Sequence, residues 1–284
     1  MQNKYKTNIS NLPERVKQLH KPPKHLYQQG SKLKDILKNP TVGIVGSRKV
    51  STYGRGVTEE FTNALAKRGV VIVSGLALGV DSIAHRACLD AKGQTIAVLP
   101  SGLESIYPSS HQGLAKQIVQ TGGSLVTEYD PQEKPMKHFF IARNRIIAAL
   151  SDILLVTEAA ERSGSLHTAN FALELGKPVF AIPGNITNIN SGGTNKLIQV
   201  GASPALSPDD LIQELGLSST PITAYIPENE AEELLLNLLD QGISAGELLH
   251  QKSGLDSQAY QQHLTLLEIK GIIKPLSANR WQKV

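Results

Sequence analysis

Residues 41–48 read TVGIVGSR, a short apolar run of β-strand character that ends in a Gly-Ser-Arg turn and precedes a helical pattern from about 53 to 68. A strand that ends in a glycine turn at a helix N-terminus presents backbone N–H groups that bind anions. Gly46, Ser47 and Arg48 are therefore candidate anion-binding residues, with Arg48 placed where a phosphate would bind. The alternative is a purely structural turn that needs glycine for its backbone geometry.

The same alternation of strand and helix continues along the chain. Apolar runs predict strands at 41–45, 70–73, 95–99, 125–127, 152–157 and 178–182, and helical patterns lie near 53–68, 79–91, 111–121, 138–150 and 165–175. This order is typical of a Rossmann-like, doubly wound α/β fold with a mostly parallel sheet. The carboxyl ends of such strands form the ligand crevice, so the turns that follow them are expected to meet in space.

The first turn does not fit a dinucleotide cofactor. Gly43-x-x-Gly46 lacks the third glycine of that fingerprint, and the second strand runs into Ser74-Gly75 instead of an acidic residue that would hold a ribose. NAD and FAD are therefore not expected. The histidines lack the spacing of metal ligands, so no metal is expected either.

Charge is distributed unevenly along the 284 residues, whose net charge is +4. Residues 1–40 carry nine basic and two acidic side chains, residues 41–225 carry 15 of each sign, and residues 226–284 carry five basic and eight acidic ones. A polyanion bound by the neutral middle region must be held by a few well-placed cations and by backbone N–H groups. Residues 1–40 are expected to form a basic N-terminal arm, either solvated and partly disordered or functional.

The single cysteine, Cys88, argues against a disulfide framework and for a reducing compartment. The N-terminus has no apolar core of a signal peptide, and no segment approaches the run of about 18 apolar residues that a membrane span needs. A soluble cytoplasmic protein without a membrane partner is therefore expected.

The pattern changes after about residue 215. Residues 216–227 are rich in Ser, Thr and Pro and predict a linker between the Rossmann-like domain at 41–215 and a small domain at 228–284. Three amphipathic helical stretches and a two-strand ribbon in this small domain predict a winged-helix-like module. Its third helix has Lys270 as its only fixed positive charge, which favours protein contact over major-groove binding.

A second candidate segment begins at Lys137 and carries aromatic residues and two arginines before it becomes wholly apolar. A helix that is buried in its C-terminal half places its first turn at the crevice, so Phe140, Arg143 and Arg145 are expected near the ligand. Aromatic rings and cations are suited to single-stranded nucleic acid, because a ring stacks a base, worth about 1–3 kcal/mol, while the cations hold phosphates.

Structural alternatives apply to several of these residues. Phe139 or Phe140 is expected to belong to the core, and one of the two arginines to pair with Glu128 or Asp130. Asp81 is the best candidate for a catalytic acid in the crevice, but a carboxylate near a helix N-terminus is also favoured by the helix dipole alone.

A third candidate turn, Ser163-Gly164-Ser165, again connects the end of a strand to a helix. It repeats the anion-binding arrangement of the first turn, and the recurrence of this arrangement at a neighbouring strand end argues against coincidence. The segment from Ser191 to Lys196 is either a further helix start that closes the pocket or a plain loop.

Taken together, these segments resemble the DprA/Smf family, the DNA-processing proteins of natural transformation. The matching motifs, between about residues 12 and 201, are GIVGSR, SGLALGVDSIAH, EYDP, FxxRNRIIAALSD, TEAAERSGSLHTANFALELGKPVFAIPGN and SGGTNKLIQVGA. The resemblance implies a non-enzymatic homodimer that binds single-stranded DNA, protects incoming strands and helps to load RecA recombinase onto them. The implied DNA-binding residues are Gly46, Ser47, Arg48, Lys137, Phe140, Arg143, Asn144, Ser163, Gly164 and Ser165.

The chain departs from the family pattern in three places. Many members have a helical SAM-like domain where this chain has only the basic arm. Ile141 replaces a proline that often follows the phenylalanine of the FxxRNR motif, and the wing at 277–281 lacks its usual glycine.

Two other functions remain as alternatives. The fold also resembles the "lonely guy" phosphoribohydrolases, but these have a catalytic glutamate after a PGGxGT turn, and no acidic residue occurs from Ser163 through Leu173. A sequence-specific regulator that acts through the winged helix is disfavoured by the acidic tail.

Overall fold

The computed structural model describes residues 4–8, 11–217, 227–276 and 279–283. The chain folds as two compact units, Met1–Ser218 and Ser219–Val284. The boundary falls within the predicted linker, of which residues 218–226 lie outside the described ranges.

The larger unit is built on a nine-stranded, mostly parallel sheet. Its strands are β1 (Lys4–Asn8), β2 (His25–Gly30), β3 (Thr41–Val45), β4 (Val71–Ser74), β5 (Thr95–Val98), β6 (Ser124–Thr127), β7 (Ile153–Val156), β8 (Val179–Ala181) and β9 (Ser203–Pro204). Their order in the sheet is β1-β2-β6-β5-β4-β3-β7-β8-β9. The β1–β2 and β2–β6 pairs are antiparallel, and the other pairs are parallel.

Helices cover both faces of this sheet. They are α1 (Glu14–Lys17), α2 (Leu33–Ile36), α3 (Thr52–Lys67), α4 (Val80–Asp90), α5 (Gln112–Gln120), α6 (Lys137–Leu150), α7 (Ser165–Glu174), α8 (Gly192–Gln199) and α9 (Pro208–Glu214). In β3, Val42 and Ile44 belong to one core cluster and Val45 belongs to the cluster on the other face. This alternation follows from the two-residue period of a strand, and each fully buried aliphatic side chain contributes about 1.5–3 kcal/mol.

The Rossmann-like α/β class is confirmed, and the six predicted strands and five predicted helices occur within one or two residues of their expected bounds. The segment that begins at Ser191 is a helix start, since α8 begins at Gly192.

The N-terminal segment differs from the expected basic arm. Residues 4–8 and 11–36 contain β1, α1, β2 and α2, and Tyr27 of β2 pairs with Thr127 of β6 in antiparallel register. Val16, Leu26 and Ile36 are buried in the core of the larger unit. The elements are too short for a clear period in sequence, and in α2 the exposed Lys34 lies next to the buried Leu33. Residues 4–8 and 11–40 are therefore part of the sheet domain and not a separate arm.

The smaller unit contains three helices, α10 (Glu230–Asp240), α11 (Gly246–Ser253) and α12 (Ser257–Ile269), followed by the antiparallel strands β10 (Ile273–Leu276) and β11 (Arg280–Lys283). Leucines from all three helices and Ile273 form its core. Asn279 takes a positive φ of 53°, a conformation that asparagine adopts more readily than most residues other than glycine. The winged-helix assignment itself remains a prediction.

Across the described ranges, no helix combines the length and the apolar character needed to cross a bilayer.

Candidate functional site

A pocket of about 500 Å³ opens at the carboxyl edge of the parallel strands. It lies beyond the ends of β3 and β7, which are neighbours in the sheet. The strands β4, β5 and β6, which follow β3 in the chain, lie on one side of this pair, and β8 and β9, which follow β7, lie on the other side. Ligands bind at such a switch point in open α/β sheets. The turn at Gly46–Lys49, the start of α6 and the turn before α7 form its walls.

The structure brings nine of the ten predicted site residues into this one pocket. They are Gly46, Ser47, Arg48, Phe140, Arg143, Asn144, Ser163, Gly164 and Ser165. Lys137 does not line the pocket but is the exposed first residue of α6, about one helical turn before Phe140. The three motifs therefore meet in space, but their side chains play different parts.

The N-terminus of α3 is not the open anion site that the sequence predicts. The backbone N–H of Ser51 donates to Oε2 of Glu158 at 2.8 Å, and the Ser51 hydroxyl accepts from the N–H of Gly54 at 3.0 Å. Glu158 is only 2% exposed, and a Cβ on Gly54 would lie 2.4 Å from its Oε2. The Glu158 carboxylate thus occupies the N-terminus of α3. This helix begins at Thr52, several residues after the Gly46-Ser47-Arg48 turn, so the turn and the helix N-terminus do not form one anion site.

The groups of Ser47 are also used within the protein. Its N–H donates to the carbonyl of Glu158 at 2.7 Å, and its hydroxyl donates to the Lys49 carbonyl at 2.9 Å. Its own carbonyl accepts from the N–H of Val80 at the start of α4, where Gly79 makes room, since a Cβ there would lie 2.2 Å from that carbonyl. What the turn presents to a ligand is therefore the exposed side chains of Arg48 and Lys49.

Arg48 and two aromatic rings form a continuous surface at the mouth of the pocket. The Arg48 guanidinium carbon lies 5.1 Å from the centre of the Phe140 ring, within the range of a cation–π contact. Phe140 in turn meets Tyr107 edge to face, with ring centres 5.4 Å apart. Tyr107 is 45% exposed, and the sequence pattern did not indicate it, although it follows the end of β5 as the other site turns follow their strands.

Arg143 lies in the floor of the pocket and is 3% exposed. Its guanidinium donates to the carbonyls of Gly75, at 2.5 Å, and of Val98, and its Nε donates to Oδ1 of Asn144 at 3.2 Å. Burial lowers the pKa of Arg143 to about 10, against the opposing charge of Asp81. Arg143 therefore joins the ends of β4 and β5 to α6, and its expected role as a phosphate contact gives way to a structural one.

Two residues of α6, Phe139 and Arg145, have the structural roles that the sequence offered as alternatives to ligand binding. Arg145 pairs with Glu128 at 2.5 Å, and both side chains are largely buried. Phe139 is buried and stacks on Tyr129 with ring centres 3.8 Å apart. The first turn of α6 thus supplies one ring to the core and one, Phe140, to the pocket.

The turn before α7 closes the opposite wall. The hydroxyls of Ser163 and Ser165 bond to each other at 2.7 Å, and the Asn144 amide donates to the Gly164 carbonyl at 3.3 Å. Asn144 therefore holds this turn against α6.

Asp81, the second residue of α4, also lies in the pocket floor and is 7% exposed. Burial raises the pKa of its carboxyl, and the nearby charge of Arg143 opposes this effect. Among the described residues that line the pocket, Asp81 alone carries a carboxylate.

Comparison with known proteins places the chain in one family. The model of the family "DNA recombination-mediator protein A" matches residues 6–216. The chain is 41% identical to the DNA processing protein DprA of Bacillus subtilis over 200 residues. These matched residues cover 70% of this chain and 67% of that protein. It spans about two thirds of the length of the curated relatives it matches.

Two solved structures share the fold at substantial sequence identity. One is DNA processing protein A from Streptococcus pneumoniae, with a TM-score of 0.68, 40% identity and 74% of each chain covered. The other is DNA processing protein A from Helicobacter pylori, reported for its single-stranded DNA binding mode, with a TM-score of 0.67, 36% identity, and 74% of this chain and 95% of that chain covered. The family match over most of the chain, together with these identities, shows that the protein belongs to the DprA/Smf family of DNA recombination-mediator proteins.

Proposed function

We propose that this chain binds single-stranded DNA at the pocket on the carboxyl edge of the sheet. The observation that carries this proposal is the surface formed by Arg48, Phe140 and Tyr107. A cation beside one exposed ring, Tyr107, and one half-buried ring, Phe140, is suited to an unpaired strand, since bases stack on the rings while the cation holds a phosphate. Exposed Lys137 adds a further cation about one helical turn from Phe140.

Binding to a strand and not to a nucleotide cofactor is supported by Glu158. The N-terminus of α3, where a nucleotide phosphate would bind in a fold of this class, already holds the Glu158 carboxylate. The remaining exposed groups are side chains at the pocket mouth, which suit a ligand that continues beyond the pocket.

The test is a fluorescence polarisation comparison of labelled single strands, duplexes of the same length and mononucleotide competitors at one salt concentration. We expect the single strand to bind most tightly and mononucleotides to compete weakly, because one nucleotide makes only part of the contacts. Equal binding of duplex and single strand would contradict the proposal, and tight binding of a mononucleotide would favour the phosphoribohydrolase alternative.

The proposal does not include catalysis. The Asp81 carboxyl faces the Arg143 guanidinium in the pocket floor, and the segment from Ser163 through Leu173 supplies no acid. Incubation with adenosine monophosphate and with labelled strands is expected to release no base and no shortened product. Turnover that disappears in Asp81→Asn would overturn this part of the proposal.

Self-association is also part of the proposal, because the family resemblance implies a homodimer. Val200 and Leu206, 62% and 76% exposed, flank the short edge strand β9, which suits contact with a second copy. Sedimentation is expected to show a dimer that Leu206→Glu weakens. A monomer at all concentrations would contradict it.

Protection of incoming strands and transfer to RecA recombinase during natural transformation complete the proposed role. The protein is expected to shield strands from nuclease digestion and to speed RecA filament formation on them. If the bound strand is digested as fast as the free strand, and if the protein does not change RecA nucleation, the role of the protein is limited to binding.

A further inference from the structure

An open groove of about 590 Å³ lies between α10 and α12 of the smaller unit. Ala231 and Leu234 line it from α10, His263 lines it from α12, and Leu255 lines it just before α12 begins. Apolar atoms form most of its surface. Its volume is in the range of ordinary ligand pockets, so the groove has room for several apolar side chains of another molecule.

Two leucines beside this groove are exposed. Leu234 is 37% exposed, and Leu266 of α12 is 36% exposed. Leu266 lies three positions after His263, so these two residues share one side of α12. The Nδ1 atom of His263 is buried and has no hydrogen-bond partner in the described part of the chain. One exposed leucine is ordinary, but two beside an apolar groove indicate a surface that another molecule covers.

The rim of the groove is acidic, because four glutamates fall at the start of α10. Lys270 pairs with two of them, with Glu228 at 2.9 Å and with Glu232 at 3.0 Å. Glu230, which lines the groove, and Glu233 are exposed, and no described residue forms an ion pair with either of them. This rim repels the phosphates of a nucleic acid and attracts basic side chains.

We propose that the groove between α10 and α12 binds a basic amphipathic helix of a partner protein. Its apolar face packs on Leu234 and Leu255, and its lysine or arginine side chains lie against Glu230 and Glu233. A helix that binds in such a groove supplies apolar anchors at positions i, i+3 or i+4, and i+7. A nucleic acid or an acidic peptide would meet the apolar groove with a charge of the wrong sign. This site lies within the smaller unit and is separate from the proposed single-strand site.

The test uses the full chain and a labelled synthetic peptide of about 14 residues, with leucines at helical spacing on one face and lysines on the other. One comparison peptide has glutamates in place of the lysines. The other has the same lysines and leucines in an order that gives no apolar face. In fluorescence polarisation at one salt concentration, we expect the amphipathic lysine peptide to bind at least about tenfold more tightly than either comparison peptide, because it alone matches both the groove and the rim.

Leu234→Lys is expected to weaken binding of the lysine peptide by about tenfold, because the new charge replaces an apolar anchor contact and repels the lysines of the peptide. Leu248→Lys is the matched control, since Leu248 is a 46% exposed leucine of α11 that lies outside the groove. It adds the same charge to the same unit and should leave the affinity unchanged. Glu230→Gln removes one rim charge and is expected to weaken binding by about threefold.

The inference is overturned if the lysine peptide binds no more tightly than the comparison peptides, or if Leu234→Lys and Leu248→Lys change its affinity equally. If Leu234→Lys does not fold by circular dichroism, Glu230→Gln decides, and an unchanged affinity in that folded variant refutes the contact with the acidic rim. Single-strand binding is measured separately, so failure of the peptide to bind would not refute the proposed function.

Discussion

Replacement of Arg143 by methionine tests whether Arg143 has a structural role or contacts DNA. The change keeps much of the aliphatic volume but leaves the carbonyls of Gly75 and Val98 without their donor. It also leaves the buried Asp81 carboxylate without its nearest opposing charge. All of these groups lie where α6 meets the ends of β4 and β5.

The expected cost follows from these contacts. A hydrogen bond from a charged donor is worth about 1.5–3 kcal/mol, and loss of one partner of a buried ionic contact costs about 3–5 kcal/mol. The contributions overlap because they share one guanidinium, so we expect a loss of about 3–5 kcal/mol in the free energy of unfolding. Such a loss is a large part of the stability of an ordinary domain.

Urea unfolding monitored by circular dichroism measures this loss, with Arg86→Met as the control because Arg86 is exposed on α4 away from the pocket. The folded fraction of Arg143→Met should keep the salt dependence of strand binding. A stability change below about 1 kcal/mol, together with a salt slope reduced by about 0.7, would refute the reasoning and make Arg143 a phosphate contact.

Three further outcomes are expected. Phe140→Ala should weaken single-strand binding by about 1–3 kcal/mol in a titration at fixed salt, because a stacking ring is lost; an unchanged affinity would exclude Phe140 from the interface. His85 is fully buried, and burial lowers its pKa to about 3, so the folded state stays neutral while the unfolded state gains a proton below about pH 6.5. Stability should therefore fall as pH drops from about 6.5 towards 3, by about 1.4 kcal/mol for each unit, and His85→Gln should remove that part of the slope; parallel pH profiles would contradict this. Removal of residues 1–39 should abolish cooperative unfolding, because Leu26 and Ile36 are core residues, whereas a separate arm would be removed without effect on the melting curve.

The sequence predicts the strands of the sheet well, because local apolar runs determine them. It also predicts that the turns after these strands lie close together, because a parallel sheet places them at one edge. Apolar runs of three to six residues predict the parallel strands, and the carboxyl ends of these strands must lie at one edge of the sheet. The sequence alone therefore predicts that Gly46 and Gly164, which are more than 100 positions apart in the chain, lie in the same pocket, as they do.

The parts that sequence does not predict depend on where single side chains reach. Arg48 and Arg143 are the same residue type in the same pocket, yet one is exposed and the other donates to carbonyls, a difference set by packing against Gly75. The Glu158 cap on α3 joins segments more than 100 residues apart. The pairing of β2 with β6 also joins distant segments, with Tyr27 opposite Thr127, so a local sequence period cannot reveal it.

The most direct test of the central claim is the salt dependence of single-strand binding for the wild-type protein, Arg48→Ala and Arg86→Ala. Each phosphate contact contributes about 0.7 to the slope of log K against log salt for single strands. The account predicts a slope reduced by about 0.7 and weaker binding in Arg48→Ala, with Arg86→Ala unchanged. Equal slopes for all three proteins would contradict a strand bound at this pocket.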